Sequence, residues 1–161
     1  MKKCLMLAAV AVLAGVLVGG CTLKKTGPSA KTYQAFPRGD AEVPPVATAA
    51  KASATFGAGP AKMQLKFDVD VKNIKDVFGA QLCLAPKGVN GPVVAILYPG
   101  PMKLGITTGV LCNGALTKMD LLGPMAGLLI EDLMNEIAAG KIYVNIRTKA
   151  HPAGELRGQV H

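Results

Sequence analysis

The sequence is poor in aromatic residues and contains no tryptophan. Phe, Tyr and Trp together make up 4% of the 161 residues, whereas Gly occurs 19 times and Pro 11 times. Because aromatic side chains normally supply much of the apolar area of a core, the core of this chain has to be built from aliphatic side chains and alanine. The many glycines and prolines indicate frequent turns between short elements.

Histidine is also scarce, since the chain has only His151 and His161, and His161 is the last residue. Ser-His-Asp and Cys-His sites need a histidine as the general base, so the sequence offers little material for either. Asp68 and Asp70 alternate with apolar residues and are interpreted as the solvated face of a strand, not as paired catalytic carboxylates. The sequence therefore predicts no catalytic residues and a protein that is not an enzyme.

Basic residues are scattered along the chain, although the formal net charge is +8. Beyond Lys2 and Lys3, the only adjacent pair is Lys24-Lys25. A nucleic-acid-binding domain would show a basic stripe with interleaved aromatics, and the absence of one predicts no nucleic-acid partner. The mild positive charge is typical of a protein that lies near anionic headgroups or cell-wall polymers.

Residues 1–20 have the organisation of a bacterial lipoprotein signal peptide. Two lysines precede an apolar run from Leu5 to Val18, which is shorter than the roughly 20 residues that a membrane-spanning helix needs. The following Leu17-Val18-Gly19-Gly20-Cys21 resembles a lipobox, in which the cysteine is lipidated and becomes the first residue of the mature chain. The alternative is an ordinary signal peptide with a chance cysteine, or an uncleaved anchor.

The predicted location follows from this segment. Lipid on Cys21 would anchor the chain to a membrane of the cell envelope, facing the periplasm or the exterior. If the host is Gram-negative, the absence of Asp after Cys21 favours the outer membrane. Removing the first 20 of 161 residues leaves 141, enough for one domain. Residues 21–34 are polar and rich in helix breakers, which predicts a flexible tether, and residues 35–161 form the predicted domain.

Strand patterns dominate the predicted domain. Residues 63–71 alternate strictly, with Met63, Leu65, Phe67, Val69 and Val71 on one face, which is typical of a half-buried antiparallel strand. Seven or so short strands with frequent turns predict a mainly β fold, an antiparallel β-sandwich. The predicted strands are 47–56, 63–71, 77–84, 92–98, 106–116, 142–148 and 155–160.

One helix is predicted in the long insert from 117 to 140. Across residues 128–139, Leu129, Leu133 and Ile137 fall one turn apart, and Gly140 fits a C-terminal stop. The favoured interpretation is that this helix packs over an open end of the sandwich. The alternative is that it contacts another protein of the envelope.

Two thiols remain after Cys4 is removed with the signal peptide and Cys21 carries lipid. Cys83 and Cys112 would lie in an oxidising compartment, where two thiols can pair, so one disulfide between them is a hypothesis. The alternative is two separate buried thiols that act as small apolar side chains.

Five sequence blocks occur in order along the predicted domain. They are Ala41-Glu42-Val43-Pro44-Pro45-Val46, Asn90-Gly91-Pro92-Val93-Val94, Tyr143-Val144-Asn145-Ile146-Arg147-Thr148, His151-Pro152 and Gly154-Glu155-Leu156-Arg157-Gly158-Gln159-Val160. Together these blocks resemble the CHRD domain, named for chordin and found in bacterial exported proteins. The resemblance covers about residues 35–160 and implies an immunoglobulin-like or superoxide-dismutase-like β-sandwich, in agreement with the strand pattern.

The resemblance also implies a histidine cluster that this chain lacks. Family members commonly carry His-x-His on the middle strand, a His on the closing strand and a His-Pro, and such imidazoles could bind copper or zinc. The matching positions here are Gln81, Cys83, Arg147 and His151, and only the last is a histidine. Because a guanidinium does not ligate metals, these residues are interpreted as a vestigial site without metal, in which Arg147 and Gln81 hydrogen-bond to each other or to backbone carbonyls.

The function predicted from the sequence is a membrane-anchored, non-enzymatic binding or structural module of the envelope, without a cofactor. Its expected partners are the membrane, through the N-terminal lipid, and an envelope protein or polymer that the sequence does not identify. The alternative is a metal-binding, dismutase-like envelope protein, which the missing histidines disfavour.

Overall fold

The computed structural model of the protein describes residues 31–161. The predicted signal peptide, Cys4, Cys21 and most of the predicted tether lie outside the described residues. Within residues 31–161, no helix is both long enough and apolar enough to cross a membrane. The strands are β1 (Thr32–Ala35), β2 (Lys51–Ala58), β3 (Leu65–Leu84), β4 (Val93–Tyr98), β5 (Lys103–Leu116), β6 (Ile142–Thr148) and β7 (Leu156–Gln159), and the helix is α1 (Ile130–Ala138).

The seven strands form one antiparallel sheet organised around β3. The first half of β3 pairs with β2 and β5, and its second half pairs with β4 and β6. β1 adds to β2, and β7 adds to β6. The mainly β, antiparallel prediction is therefore confirmed, and the two halves of the sheet are compatible with the predicted sandwich.

β3 joins two predicted strands, 63–71 and 77–84, into one strand of 20 residues. Between them, Asn73 and Asp76 have φ angles of 57° and 51°, a left-handed conformation that bends the chain. Side chains on β5 and β3 fix this bend, since Thr108 Oγ1 accepts the Asn73 N–H at 3.0 Å and Asp76 Oδ1 accepts the Gly105 N–H at 2.7 Å. The bend carries β3 from one half of the sheet to the other.

The two outer strands approach each other and nearly close the sheet into a barrel. Gln34 of β1 exchanges backbone hydrogen bonds of 2.7 and 2.9 Å with His161, and Arg38 exchanges bonds of 3.0 and 3.1 Å with Arg157. These bonds satisfy backbone groups that would otherwise be exposed on edge strands. They also hold the segment after β1, which carries Glu42, beside β7.

One core of small and aliphatic side chains fills the interior, as the composition predicts. Phe56 is its only fully buried phenylalanine among the described residues. On β3, Leu65, Val69 and Val71 are buried and Phe67 is half-buried, so the alternating pattern is confirmed there. Met63 precedes the strand and is 72% exposed.

Helix α1 lies within the predicted helix 128–139, and Gly140 ends it with a φ of 70°. Its buried face consists of Ile130, Leu133, Met134 and Ile137. The helix packs on the same core as the strands, which supports the favoured interpretation of the insert. Leu129, predicted on the apolar face, instead precedes the helix and is exposed, because the chain is extended there and Asp132 caps its backbone N–H at 2.9 Å.

The ordered domain begins earlier than the predicted boundary at residue 35. Thr32–Ala35 form β1, in register with Gly57 to Ala54 of β2, and Tyr33 is buried. A four-residue strand leaves too few alternating positions for the sequence pattern to reveal it. The predicted tether therefore loses its last three residues to the domain.

Candidate functional site: a polar cleft beside the central strand

A cleft of about 390 Å³ opens beside the second half of β3. One wall comes from the Glu42 segment, the floor from β3 and β6, and an adjoining wall from the loop between β6 and β7. The volume lies in the range of small-molecule sites. The lining residues are Glu42, Val43, Pro44, Val46, Gln81, Cys83, Asn90, Gly91, Tyr143, Asn145, Ala150, His151, Pro152, Ala153 and Gly154.

The pairing register of β3 and β6 builds the floor. Gln81 lies opposite Asn145, and Cys83 lies opposite Tyr143. Residues two apart on a strand share a face, so these four side chains form one polar patch. Gln81 Nε2 donates to Cys83 Sγ at 3.7 Å, and Tyr143 Oη accepts the Gly91 N–H at 3.1 Å.

Glu42 enters the cleft from the segment after β1 and is nearly buried. Its Oε2 accepts the Asn145 Nδ2–H at 3.0 Å, and its Oε1 accepts the Val43 N–H at 3.2 Å. Burial raises the pKa of this carboxyl, although the Val43 hydrogen bond and the positive charge of Arg157 partly offset the effect. The contact joins two residues that are 103 positions apart in the chain.

The side-chain amide of Asn145 forms a hydrogen bond through its nitrogen but not through its oxygen. Its Nδ2 donates to Glu42, but its Oδ1 is buried and has no hydrogen-bond partner among the described residues. A buried acceptor without a partner costs about 1–3 kcal/mol. Asn145 lines the cleft, so an entering group that reaches this covered oxygen would find an acceptor without a partner.

Gly154 fits against this hydrogen bond only because it has no side chain. A Cβ at this position would lie closer than 3.0 Å to both Asn145 Nδ2 and the Glu42 carboxylate. Glycine is therefore required at position 154 for a steric reason, because the loop has to pass directly over the Glu42–Asn145 pair.

Arg157 is buried behind the cleft and holds the loop from Pro86 to Gly91. Its Nη2 donates to the carbonyl oxygens of Pro86 (3.1 Å) and Val89 (2.7 Å), and its Nη1 donates to Asn90 Oδ1 at 3.0 Å. Its guanidinium carbon lies 3.6 Å from the centre of the Tyr143 ring, a favourable cation–π distance. Arg157 thereby fixes the loop whose Asn90 and Gly91 line the cleft.

Glu155 plays a comparable part on the other wall. Its two oxygens accept the hydroxyls of Thr48 (2.7 Å) and Thr148 (2.6 Å). Thr148 Oγ1 in turn accepts the His151 N–H at 3.2 Å. These bonds fix the turn that carries His151 to the cleft, so Glu155 and Arg157 each have separate partners and do not pair with each other.

The predicted site residues are brought together only in part. Gln81, Cys83 and His151 all line the cleft, but Arg147 does not. Arg147 lies opposite Gly79 in the register, with its guanidinium 4.8 Å from the Phe78 ring centre, and its buried Nε has no partner among residues 31–161. The prediction left open hydrogen bonds of Arg147 and Gln81 to each other or to backbone carbonyls, and in residues 31–161 the Gln81 amide instead donates to Cys83 Sγ.

The donors in this cleft do not fit a transition metal. In the described part of the chain, no group of three or more His, Cys, Asp and Glu side chains is arranged to hold an ion. Burial raises the pKa of the Cys83 thiol, which disfavours the thiolate that a metal needs. The carboxylate of Glu42 is already occupied by Asn145 and Val43.

The predicted disulfide between Cys83 and Cys112 is not formed in the structure, in which both are free thiols. Cys112 of β5 lies opposite Val69, whereas Cys83 lies opposite Tyr143 and Val93, in the other half of β3. A disulfide requires Cα atoms about 4.4–6.8 Å apart, and the two halves of β3 hold these cysteines in different neighbourhoods. The prediction was based only on an oxidising compartment and on the presence of two thiols, and neither indicates where the two cysteines lie in the fold.

Sequence reasoning missed the two residues at the centre of the site, Glu42 and Asn145. Both lie in blocks that carry the family resemblance, Glu42-Val43-Pro44-Pro45 and Tyr143-Val144-Asn145. A glutamate beside apolar residues and prolines is a usable signal, since a buried carboxylate requires partners. The partner itself, about a hundred residues away, leaves no local sign.

The fold and the cleft together define a small antiparallel β domain in which several sequence blocks converge on one polar cleft. The chain belongs to the CHRD domain family, whose family model matches residues 33–160. No curated protein and no solved structure matched the chain significantly.

Proposed function

We propose that the protein is a non-enzymatic binding module of the cell envelope, anchored to a membrane by lipid on Cys21, with the cleft as its binding site. The observation that carries the proposal is the buried Asn145 Oδ1, which has no hydrogen-bond partner in residues 31–161 and lies on the floor of the cleft. A bound group that donates a hydrogen bond to this oxygen would remove the cost of leaving it unpaired.

The surroundings indicate the kind of group that the cleft accepts. Val43, Pro44, Val46 and Pro152 give the walls an apolar character, while Gln81 and Asn145 supply amide groups. The pKa of Glu42 is raised by burial, so the cleft disfavours added negative charge. A neutral group with a hydroxyl or amide N–H donor meets these conditions.

The contacts of the thiol support a non-enzymatic function. A catalytic cysteine is normally activated by a neighbouring base or a lowered pKa. Cys83 instead accepts a hydrogen bond from Gln81 Nε2, and burial raises its pKa, although this bond partly offsets the effect. Its surroundings thus keep it as a neutral thiol.

The sequence of residues 1–21 supports the anchor. The n-region, the apolar run and the lipobox-like Leu17-Val18-Gly19-Gly20-Cys21 occur in the order that lipoprotein export requires. Mass spectrometry of the N-terminal peptide from the producing cell is expected to find Cys21 at the N-terminus with a diacylglyceryl group. The variant C21S is expected to lack the lipid and to leave the membrane fraction.

Cys83 and Cys112 together test whether a ligand binds in the cleft, because one thiol is the reporter and the other is an internal control. Cys83 lines the cleft, whereas Cys112 lies elsewhere on β5. Burial raises the pKa of both, that of Cys112 to about 11, so alkylation by iodoacetamide is slow at neutral pH and accelerates as pH rises. Adding a protein-free envelope extract is expected to slow alkylation of Cys83 by about tenfold and leave Cys112 within about twofold.

The rates are followed by mass spectrometry of the two cysteine peptides at a fixed alkaline pH. Cys112 reports any general effect of the extract on the reagent or on stability, because it is measured in the same sample. Equal rates with and without extract, or equal slowing of both thiols, would remove the support for a ligand in the cleft.

A further inference from the structure

The chain enters the domain at the end that carries α1. The Lys31 carbonyl accepts the Ala58 N–H at 3.0 Å, which fixes the place where residues 21–30 join the domain. Ala58 lies opposite Leu65, and Leu65 lies opposite Leu116. Lys62 of the next turn forms a 2.5 Å ion pair with Glu131 of α1. The joining point, the 60–63 turn, the segment after β5 and the start of α1 therefore belong to one end of the domain.

Three large apolar side chains at this end are exposed. Met63, Met119 and Leu129 are 72%, 81% and 58% exposed. Each lies within three residues of a contact named above, since Met63 follows Lys62, Met119 follows Leu116 and Leu129 precedes Glu131. Exposed apolar side chains that gather at one place mark an interaction surface. We call Met63, Met119 and Leu129 the tether-end surface.

Polar groups at the same end suit a phospholipid surface. Lys31, Lys62, Lys66 and Lys118 outnumber the acids Asp120, Glu131 and Asp132 there, and Lys24 and Lys25 add two charges in the preceding segment. A hollow of about 570 Å³ lies between the 60–62 turn and α1 and is lined by Tyr33 and Met134. The Tyr33 hydroxyl is buried without a hydrogen-bond partner in the described chain, and a headgroup oxygen that enters the hollow would accept a hydrogen bond from it.

We propose that the tether-end surface docks on the phospholipid bilayer that holds the lipid of Cys21. This inference rests on the proposed lipid anchor. Lys31 lies ten positions after Cys21, so the lipid lies within about 35 Å of Lys31 even when the chain is fully extended. The membrane is therefore always near this end of the domain, and insertion of apolar side chains at the headgroup boundary is favourable.

A second exposed apolar stripe provides the control. Leu104, Ile106 and Val110 of β5 are 79%, 70% and 53% exposed. Ile106 lies opposite Lys75 of β3, ten residues along the strand from Leu65, which is at most about 33 Å away because β3 bends at Asn73. Because this stripe is also apolar but lies elsewhere on the domain, comparing the two surfaces distinguishes docking at the tether end from nonspecific apolar binding.

The experiment is hydrogen–deuterium exchange of the lipidated full-length protein in vesicles of phosphatidylethanolamine and phosphatidylglycerol, compared with detergent micelles. Amides of residues 60–64 and 118–129 are expected to exchange at least about threefold more slowly in vesicles, and those of 103–110 are expected to be unchanged. The triple variant M63S, M119S, L129S is expected to lose the protection. The matched variant L104S, I106S is expected to keep it.

The outcomes separate the two proposals. If mass spectrometry shows no lipid on Cys21, the anchor fails and docking fails with it. If lipid is present but residues 60–64 and 118–129 exchange equally in vesicles and micelles, docking fails while the anchor stands. Protection of 103–110 in their place would overturn the assignment of the surface.

Discussion

The variant R157M is expected to lower the free energy of unfolding by about 3–5 kcal/mol, because three acceptors lose a charged donor and hydrogen bonds to charged groups contribute about 1.5–3 kcal/mol each. Water compensates part of this loss, because Pro86, Val89 and Asn90 are exposed residues. Those acceptors are the carbonyls of Pro86 and Val89 and Asn90 Oδ1. Methionine fills much of the space and preserves contact with the Tyr143 ring, but it supplies no N–H group. The loss is large against the 5–15 kcal/mol typical of a domain. It is measured by chemical denaturation followed by circular dichroism.

The matched control is R147M on the neighbouring strand. The Arg147 guanidinium lies over Phe78, and its buried Nε has no hydrogen-bond partner in the described chain. Removing it leaves no acceptor unpaired, so a change within about 1 kcal/mol is expected. Equal effects of the two substitutions would show that Arg157 does not hold the loop in the way its hydrogen bonds indicate.

The variant G91A is expected to cost about 3 kcal/mol or more. A Cβ on Gly91 would lie closer than 3.0 Å to the Leu84 carbonyl oxygen and to the Ala85 Cβ. Because the backbone at the end of β3 has to move, the cost exceeds the 1–3 kcal/mol typical of an overpacked site. Movement of Gly91 also weakens its N–H bond to Tyr143 Oη, now 3.1 Å. Thermal unfolding and Tyr fluorescence measure both effects.

Gly57 provides the control within the same domain. It lies on β2, where an added Cβ meets no atom within 4 Å and its φ needs no glycine. The variant G57A is expected to be neutral or slightly stabilising, because alanine reduces the freedom of the unfolded chain. A loss as large in G57A as in G91A would contradict a cost that arises from the contact of the added Cβ with Leu84.

The sequence predicts the strands well where one face is buried and the other is solvated. Alternation at 65–71 reveals the first half of β3, and Ile142–Thr148 has the predicted bounds. It does not reveal that 63–71 and 77–84 belong to one strand. Asn73 and Asp76 read as a break in the pattern, whereas their left-handed backbone is held by Thr108 and Gly105 of another strand.

The sequence predicts the candidate site only for residues whose relative positions follow from their spacing along one strand. Gln81 and Cys83 share a face because they are two residues apart, and the His151 turn follows β6 directly. Glu42 reaches the same cleft through the bonds between Arg38 and Arg157, a tertiary arrangement that has no local signal. Arg147 was predicted at the site but does not line the cleft, because its position on β6 places it beside Gly79 and Phe78.

The account depends most on Asn145 Oδ1 as an acceptor for a bound group, and side-chain amide NMR observes this residue directly. In the ¹⁵N-labelled protein, a protein-free envelope extract is expected to shift the Nδ2–H₂ resonances of Asn145 and to leave those of Asn113, an exposed asparagine on β5, unchanged. Asn145 resonances that stay fixed as extract is added, or that move no more than those of Asn113, would contradict a binding site in the cleft.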